Sequence, residues 1–278
     1  MRLWLNNRND LMARFNGARF QLRHYAHGYY PTTPAAPEAM PVNRLFFPLE
    51  NPNGTANFIE DAFRRYPLVP GRMYFVPAFL PVRFRLDNQL LFLSIQTSLE
   101  IFPGVELFSG CSRMLELPSP PEFGELAELV NSAPEDRYRI ALRAGSLAFA
   151  AQTAMLAHYP QSEFWKPLAL RKYTTLTAYL EQYGTARTSV SDLAALEHGS
   201  RESFTRRFMA CTGITPKQLI DRFVTGRCLT LLGRDCTLKE IAETLRFRDE
   251  FAFSRYFKRN MGESPRAWRR RNGSHPAG

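Results

Sequence analysis

The sequence predicts a two-domain protein: a strand-rich amino-terminal part followed by a few helices, then an all-α carboxy-terminal part. Three observations predict it. Fourteen of the 20 prolines fall in residues 1–121 and separate short runs rich in aromatic and branched side chains. After Pro121 the apolar period changes from that of strands to that of helices. Positive charge gathers at one end: residues 1–170 hold 16 basic and 15 acidic side chains, residues 171–278 hold 20 and 11.

The runs Arg19–Tyr25, Asn43–Leu49, Gly71–Val76, Val82–Leu86 and Leu90–Ile95 read as strands. Turn signals stand between them at Pro52-Asn53-Gly54, Pro70-Gly71 and Asp87-Asn88. Short strands at this spacing form a sandwich or barrel. Helices follow at Glu122–Asn131 and Asp136–Tyr159. In the second, Ile140, Ala144, Leu147, Ala151, Ala154 and Met155 form one apolar stripe. Two partners fit that stripe, the protein's own barrel or a second copy in a dimer. Pro160 and Pro167 bracket an expected linker, Pro160–Lys166. Helical blocks then run to Arg271, and Asn272–Gly278 reads as a frayed tail. The domain organisation expected is residues 1–121, a dimerisation or linker region at 122–166, and residues 167–271.

The start, Met1 to Arg8, has no long apolar stretch and does not read as a secretory signal. The longest uncharged run, Ala144–Ser162, carries Gly145, Ser146, Gln152, Thr153 and Pro160, and reads as too polar for a membrane span. Cys111, Cys211, Cys228 and Cys236 form no CxxC pair, so neither a disulfide framework nor a zinc site is expected, and a reducing cytoplasm fits. The net charge of +10 lies almost wholly beyond Leu170. That asymmetry points to a polyanion, nucleic acid before membrane, with a merely soluble basic surface as the plainer alternative.

Residues 171–270 contain a repeat at a spacing of 48–49. Its copies begin at Ser191 and Leu238, each with a short helix that carries Leu193-Ala194 or Ile241-Ala242, whose small alanine lets a second helix cross closely. Ser200 and Asp249 are placed to cap that second helix. It buries an i,i+4 aromatic pair, Phe204/Phe208 or Phe253/Phe257, and ends near Gly213 or Gly262. This is the logic of a helix-turn-helix, at about 190–212 and 238–261, whose second helix can enter a major groove.

The stretch Val190–Arg270 resembles the C-terminal domain of the AraC/XylS family of bacterial transcription regulators. The resemblance rests on Leu193-Ala194, Phe204-Thr205-Arg206-Arg207-Phe208, Thr212-Gly213-Ile214-Thr215-Pro216, Leu231-Leu232, Glu240-Ile241-Ala242, Phe253-Ser254-Arg255-Tyr256-Phe257 and Gly262-Glu263-Ser264-Pro265. It implies two such units joined by a central helix, Pro216–Leu232, reading successive major grooves of double-stranded DNA. It places the base-reading positions at Arg201, Glu202, Thr205 and Arg206, then Glu250, Phe251, Ser254 and Arg255. Their chemistry agrees: Arg bonds guanine bidentately, Glu accepts from cytosine, and Phe or Thr touches a thymine methyl. Each also suits a solvated helix face. The sequence departs from the family where His198 and Arg246 replace a turn glycine, and where Val224 and Cys228 stand in the joining helix.

Asn43–Ser94 resembles the cupin-like sensor barrel, a jelly roll, attached to many members of that family; the best piece is Tyr66–Phe84. Enzymatic cupins carry a metal-binding histidine where Val82 stands, and no HxH motif lies upstream. His24 and His27, three apart, point to opposite faces of a strand. No metal, no other cofactor and no catalytic role are therefore expected. The resemblance implies a barrel that senses a small polar effector, a sugar or related metabolite, with Arg23, Tyr25 and Arg44 as candidate pocket residues. It further implies a homodimer, RNA polymerase as a second partner, no membrane, and a nucleoid-associated place in the bacterial cytoplasm. The alternatives are an amino-terminal half that only dimerises or binds a partner protein, and a cupin enzyme fused to a DNA anchor.

Overall fold

A computed structural model of the protein describes residues 18–29, 37–102 and 105–272. The expected leader-free start and most of the expected tail lie outside these residues.

Among the described residues, ten strands make two antiparallel sheets: β1 Arg19–Tyr29, β2 Pro37–Glu38, β3 Asn43–Glu50, β4 Phe58–Glu60, β5 Arg65–Pro67, β6 Arg72–Val76, β7 Val82–Arg85, β8 Leu91–Phe102, β9 Val105–Glu106 and β10 Leu115–Pro118. The larger sheet runs β1-β8-β3-β6-β10, with β9 on β8; the smaller runs β2-β7-β4-β5. Five strands lie where the sequence places them. The five others are two to four residues long, too short to show a period.

Imperfect alternation in the long strands has a structural cause, because the larger sheet is apolar on both faces. Phe46, Tyr74, Val76 and Phe92 turn inward, joining Ile59 and Leu68 to fill the space between the sheets. Leu45, Phe47, Met73, Phe75, Leu93 and Ile95 turn outward, into a second core under the helices. Phe47 stacks on Phe123, with ring centres 4.0 Å apart.

The helices are α1 Glu122–Ser132, α2 Arg137–Met155, α3 Gln161–Ala169, α4 Thr174–Tyr183, α5 Val190–Leu196, α6 Arg201–Thr212, α7 Pro216–Leu232, α8 Leu238–Thr244, α9 Glu250–Met261 and α10 Pro265–Asn272. On α2 the stripe finds its partner at home. Ile140, Ala144, Ala148, Ala151 and Met155 are buried, and Gln152 hydrogen-bonds Thr97 of β8. Most of the stripe expected as a dimer seam is therefore closed by the barrel; Ala154 is exposed. The outward face carries Tyr138, Leu142 and Phe149, whose ring meets Phe20 edge-on at 5.2 Å, with Leu156 exposed just beyond the helix end. The segment Arg137–His158 is, by length and composition alone, long and apolar enough to cross a bilayer, contrary to the sequence reading. Here one face of it packs on β1 and β8.

The expected linker Pro160–Lys166 is also corrected, since it lies in α3. Pro167 sits inside that helix. A proline has no N–H for the carbonyl four residues back, here Glu163. That carbonyl lies against Gly110, where a Cβ would stand 2.2 Å from its oxygen. The Glu163 side chain meanwhile accepts from the Ser112 backbone N–H at 3.1 Å and from its hydroxyl at 2.9 Å.

Candidate nucleic-acid interface

The carboxy-terminal helices are set by their ends. Ser189 with Asp192, Thr215 with Gln218 and Thr237 with Glu240 form capping boxes that start α5, α7 and α8. Ser200 accepts from Ser203 N–H at 3.2 Å and Asp249 from Ala252 N–H at 2.6 Å, so both second helices are capped as expected. The bond from Ala252, helped by Arg248, holds the Asp249 carboxyl below its usual range. α6 and α9 end at Gly213 and Gly262, whose φ values of 74° and 78° are left-handed.

Burial fixes which face turns out. Phe204 and Phe208, rings 5.4 Å apart, and Phe253 and Phe257, 5.9 Å apart, are fully buried. α7 touches α5, α6, α8 and α9, and its Val224 and Cys228 are core residues. Burial pushes the Cys228 thiol up to about 12, which suits packing rather than redox chemistry. On the opposite faces, Arg201, Glu202 and Arg206 of α6 are exposed and Thr205 is half-buried. On α9, Phe251 and Arg255 are exposed, Glu250 and Ser254 half-buried. A large aromatic left 67 % exposed at the start of a helix is costly in water and suits a contact surface.

His198 and Arg246, in the two turns, have φ values of 52° and 55°. The backbone at both positions is thus left-handed although neither residue is glycine. Beside the second turn lies a cleft of about 600 Å³ between α7 and α9, lined by Arg187, Lys217, Arg246, Arg248, Arg255 and Arg259. Of these, the sequence reading singled out Arg255 alone as a site residue. The rest come from four separate segments, so no run of charge announces them.

A second set of cavities lies where the barrel meets α7. One of about 510 Å³ is lined by Gln21, Arg23 and Gln96 with Met40, Val42, Leu229 and Trp268. Arg23 donates to Ser98 Oγ at 2.9 Å, and burial lowers its pKa. An adjoining one, of about 200 Å³, holds Glu106 and Arg222. Glu106 accepts from Asn43 Nδ2 at 2.8 Å and from Leu99 N–H at 2.6 Å, yet burial pushes its carboxyl up to about 7. Burial pushes Arg222 down to about 10. The three candidate pocket residues do not converge. Arg23 faces this crevice; Tyr25 packs into the core under the helices, and Arg44 pairs with Glu38 and sits 4.7 Å from the Phe84 ring centre. Strand parity fails at a bulge between Leu22 and His24. Val82 is buried in the barrel interior. His24 and His27 pair with Gln96 and Leu93 along β8.

Residues 193–271 match the family model described as a helix-turn-helix domain. The MmsAB operon regulatory protein of Pseudomonas aeruginosa is 33% identical over 97 residues, 34% of this chain and 32% of that protein. The uncharacterized HTH-type transcriptional regulator YidL of Escherichia coli K12 is 37% identical over 103 residues, 37% of this chain and 33% of that protein. The matches thus span about a third of the length of these curated relatives. The crystal structure of unsaturated fatty acid-bound ToxT from Vibrio cholerae covers 91% of this chain and 95% of its own, at 12% identity and a TM-score of 0.55. That likeness shows the fold from barrel to last helix. The class is therefore a strand-rich barrel followed by a tandem helix-turn-helix domain. Through residues 193–271 the chain is similar to the helix-turn-helix domains of these bacterial regulators.

Proposed function

We propose that the protein is a sequence-specific DNA-binding transcription regulator of the bacterial cytoplasm. One observation supports it most: α6 and α9 bury matching phenylalanine pairs and so turn Arg201, Arg206, Phe251 and Arg255 outward. Arg206 and Arg255 stand two residues before the buried Phe208 and Phe257, in equivalent places. They bond guanine edges; Glu202 and Glu250 accept from cytosine; Thr205, Phe251 and Ser254 complete the contact. RNA polymerase is the second partner on a promoter. The reading assigns no catalytic residue and no cofactor.

The protein works as a homodimer, and the pairing surface is the outward face of α2. Leu142 and Phe149 of α2 and Leu156 of the turn that continues it recur every seven residues, the spacing of a helix-pairing seam.

The barrel half senses a small molecule in the crevice beside α7, where an occupant touches both halves at once. Arg23, 4.0 Å from Glu100, offers a partly desolvated cation beside Met40, Val42 and Leu229, and a carboxylic acid with an apolar body would share it with that glutamate. A carbohydrate is the alternative, favoured by Gln21, Gln96 and the Trp268 ring. A thermal-shift series of acids against sugars separates the two, with Arg23→Ala abolishing the response to the true class.

The regulatory reading is tested by selecting genomic fragments on the full chain. One enriched sequence with two half-sites about 10 base pairs apart supports it. Retention of fragments without any common sequence refutes it.

A further inference from the structure

We propose that the basic cleft between α7 and α9 is a second DNA contact, a grip on backbone phosphates beside the base-reading face of α9. The inference rests on the DNA-binding reading and adds a site of its own. Six cations line the cleft against one lining acid, Asp221. That acid is already engaged: Lys217 Nζ lies 3.0 Å from Asp221 Oδ1, and the Tyr256 hydroxyl donates to the same oxygen at 3.1 Å. Arg187, Arg246 and Arg255 form no ion pair among the described residues, so the cleft keeps a cationic surplus. Arg255 lines the cleft and also stands on the exposed face of α9. The cleft therefore opens beside the base-reading surface.

Two details show construction. The loop after α4 is tied to the second turn by a bond from Ala186 N–H to Leu245 O at 2.9 Å, which brings Arg187 beside Arg246. Arg246 itself holds a φ of 55°, a backbone conformation that glycine adopts freely and arginine does not. An exposed arginine kept at a strained position points to a use for its side chain. Phosphate is the anion that fits: guanidinium groups bind its oxygens in pairs, and a row of them follows a backbone rather than a single base. The site contributes affinity without choosing sequence.

The test uses the full chain, its selected duplex and a scrambled duplex of equal length, titrated across a salt series. Arg246→Gly and Arg187→Ala should each weaken binding about 3- to 10-fold on both duplexes and lower the salt slope by about one. Arg246→Gly should at the same time raise the melting temperature, because glycine relieves the turn. Arg139→Ala, on the exposed side of α2, should change neither affinity. If the wild type binds no duplex, the DNA-binding reading fails and this site fails with it. If the wild type binds and both cleft variants bind equally well with an unchanged slope, the cleft assignment alone is overturned. Inorganic phosphate gives the remaining arm. Should it stabilise the wild type but not Arg246→Gly, while duplex binding stays unaffected by either variant, the cleft holds a small free anion and the duplex assignment is wrong.

Discussion

The Arg222 guanidinium of α7 lies 4.0 Å from the centre of the Phe79 ring, in the turn between β6 and β7. Phe79 is held there with a φ of 65°, its N–H donating to Met40 O at 2.7 Å. The barrel thus presents an aromatic face to the helix that joins the two helix-turn-helix units. A cation over a ring is worth about 1 kcal/mol when partly desolvated. Phe79→Ala and Arg222→Ala should each lower stability, and the double variant should cost about 1 kcal/mol less than the sum. Chemical denaturation of the four proteins measures this; simple additivity would show that the pair does not couple the halves.

Gly110 is required by a neighbour rather than by a turn. A methyl group there meets the Glu163 carbonyl oxygen, which Pro167 cannot relieve. Gly110→Ala should destabilise by about 1–3 kcal/mol with an unchanged denaturant m-value. A urea midpoint equal to that of the wild type contradicts the packing described.

The two faces of α2 should respond oppositely to charge. Leu142→Glu with Phe149→Glu places acids on the exposed face and should give a folded monomer. Leu147→Glu with Ala151→Glu drives an acid into the barrel core and should unfold the protein, since Ala151 is buried. Sedimentation and circular dichroism of both variants decide it. A folded dimer in the first case removes the proposed pairing surface.

Glu106 gives stability a pH dependence of defined sign. Its carboxyl titrates near 7 when folded against 4.5 as an ordinary side chain. Between those values the folded state holds a proton that the unfolded chain has lost, so stability falls as pH rises through that window. Glu106→Gln has no such proton to lose. Its stability relative to the wild type should therefore climb between pH 5 and pH 8, by on the order of 2–3 kcal/mol. A difference that stays constant across that range contradicts the assignment.

The carboxy-terminal third was readable because its signals are local. Caps, an i,i+4 aromatic pair and a terminal glycine lie within one helix, and the tandem copies repeat them. The barrel was only half readable. β4 and β5 are three residues each, and Phe46 and Phe47 are adjacent yet face different cores. Pro160 and Pro167 read as linker boundaries, but one precedes α3 and the other is tolerated inside it because Gly110 lies against the freed carbonyl. The sequence named Arg23 and Arg255 but could not assemble the crevice or the cleft, for a single reason. Arg23 and Arg222, like Arg187 and Arg246, meet only through tertiary packing, and no spacing in the chain records that.

The central claim is that α6 and α9 read bases rather than merely holding charge. Arg206→Ala and Arg255→Ala should each cost about 1–3 kcal/mol on the selected duplex and relax preference at one base position apiece, the two positions lying about 10 base pairs apart. Arg270→Ala, at an exposed position of α10, should change no preference; Arg269, whose guanidinium donates to Cys236 O at 2.6 Å, is structural and makes a poor control. Competition binding of full-length variants against every single-base change in the site measures all of this at once. Position-specific loss of preference is the result expected. A uniform loss across all sequences, with preferences intact for both helix arginines, would mean that the helices touch only phosphates and that the base-reading assignment is wrong.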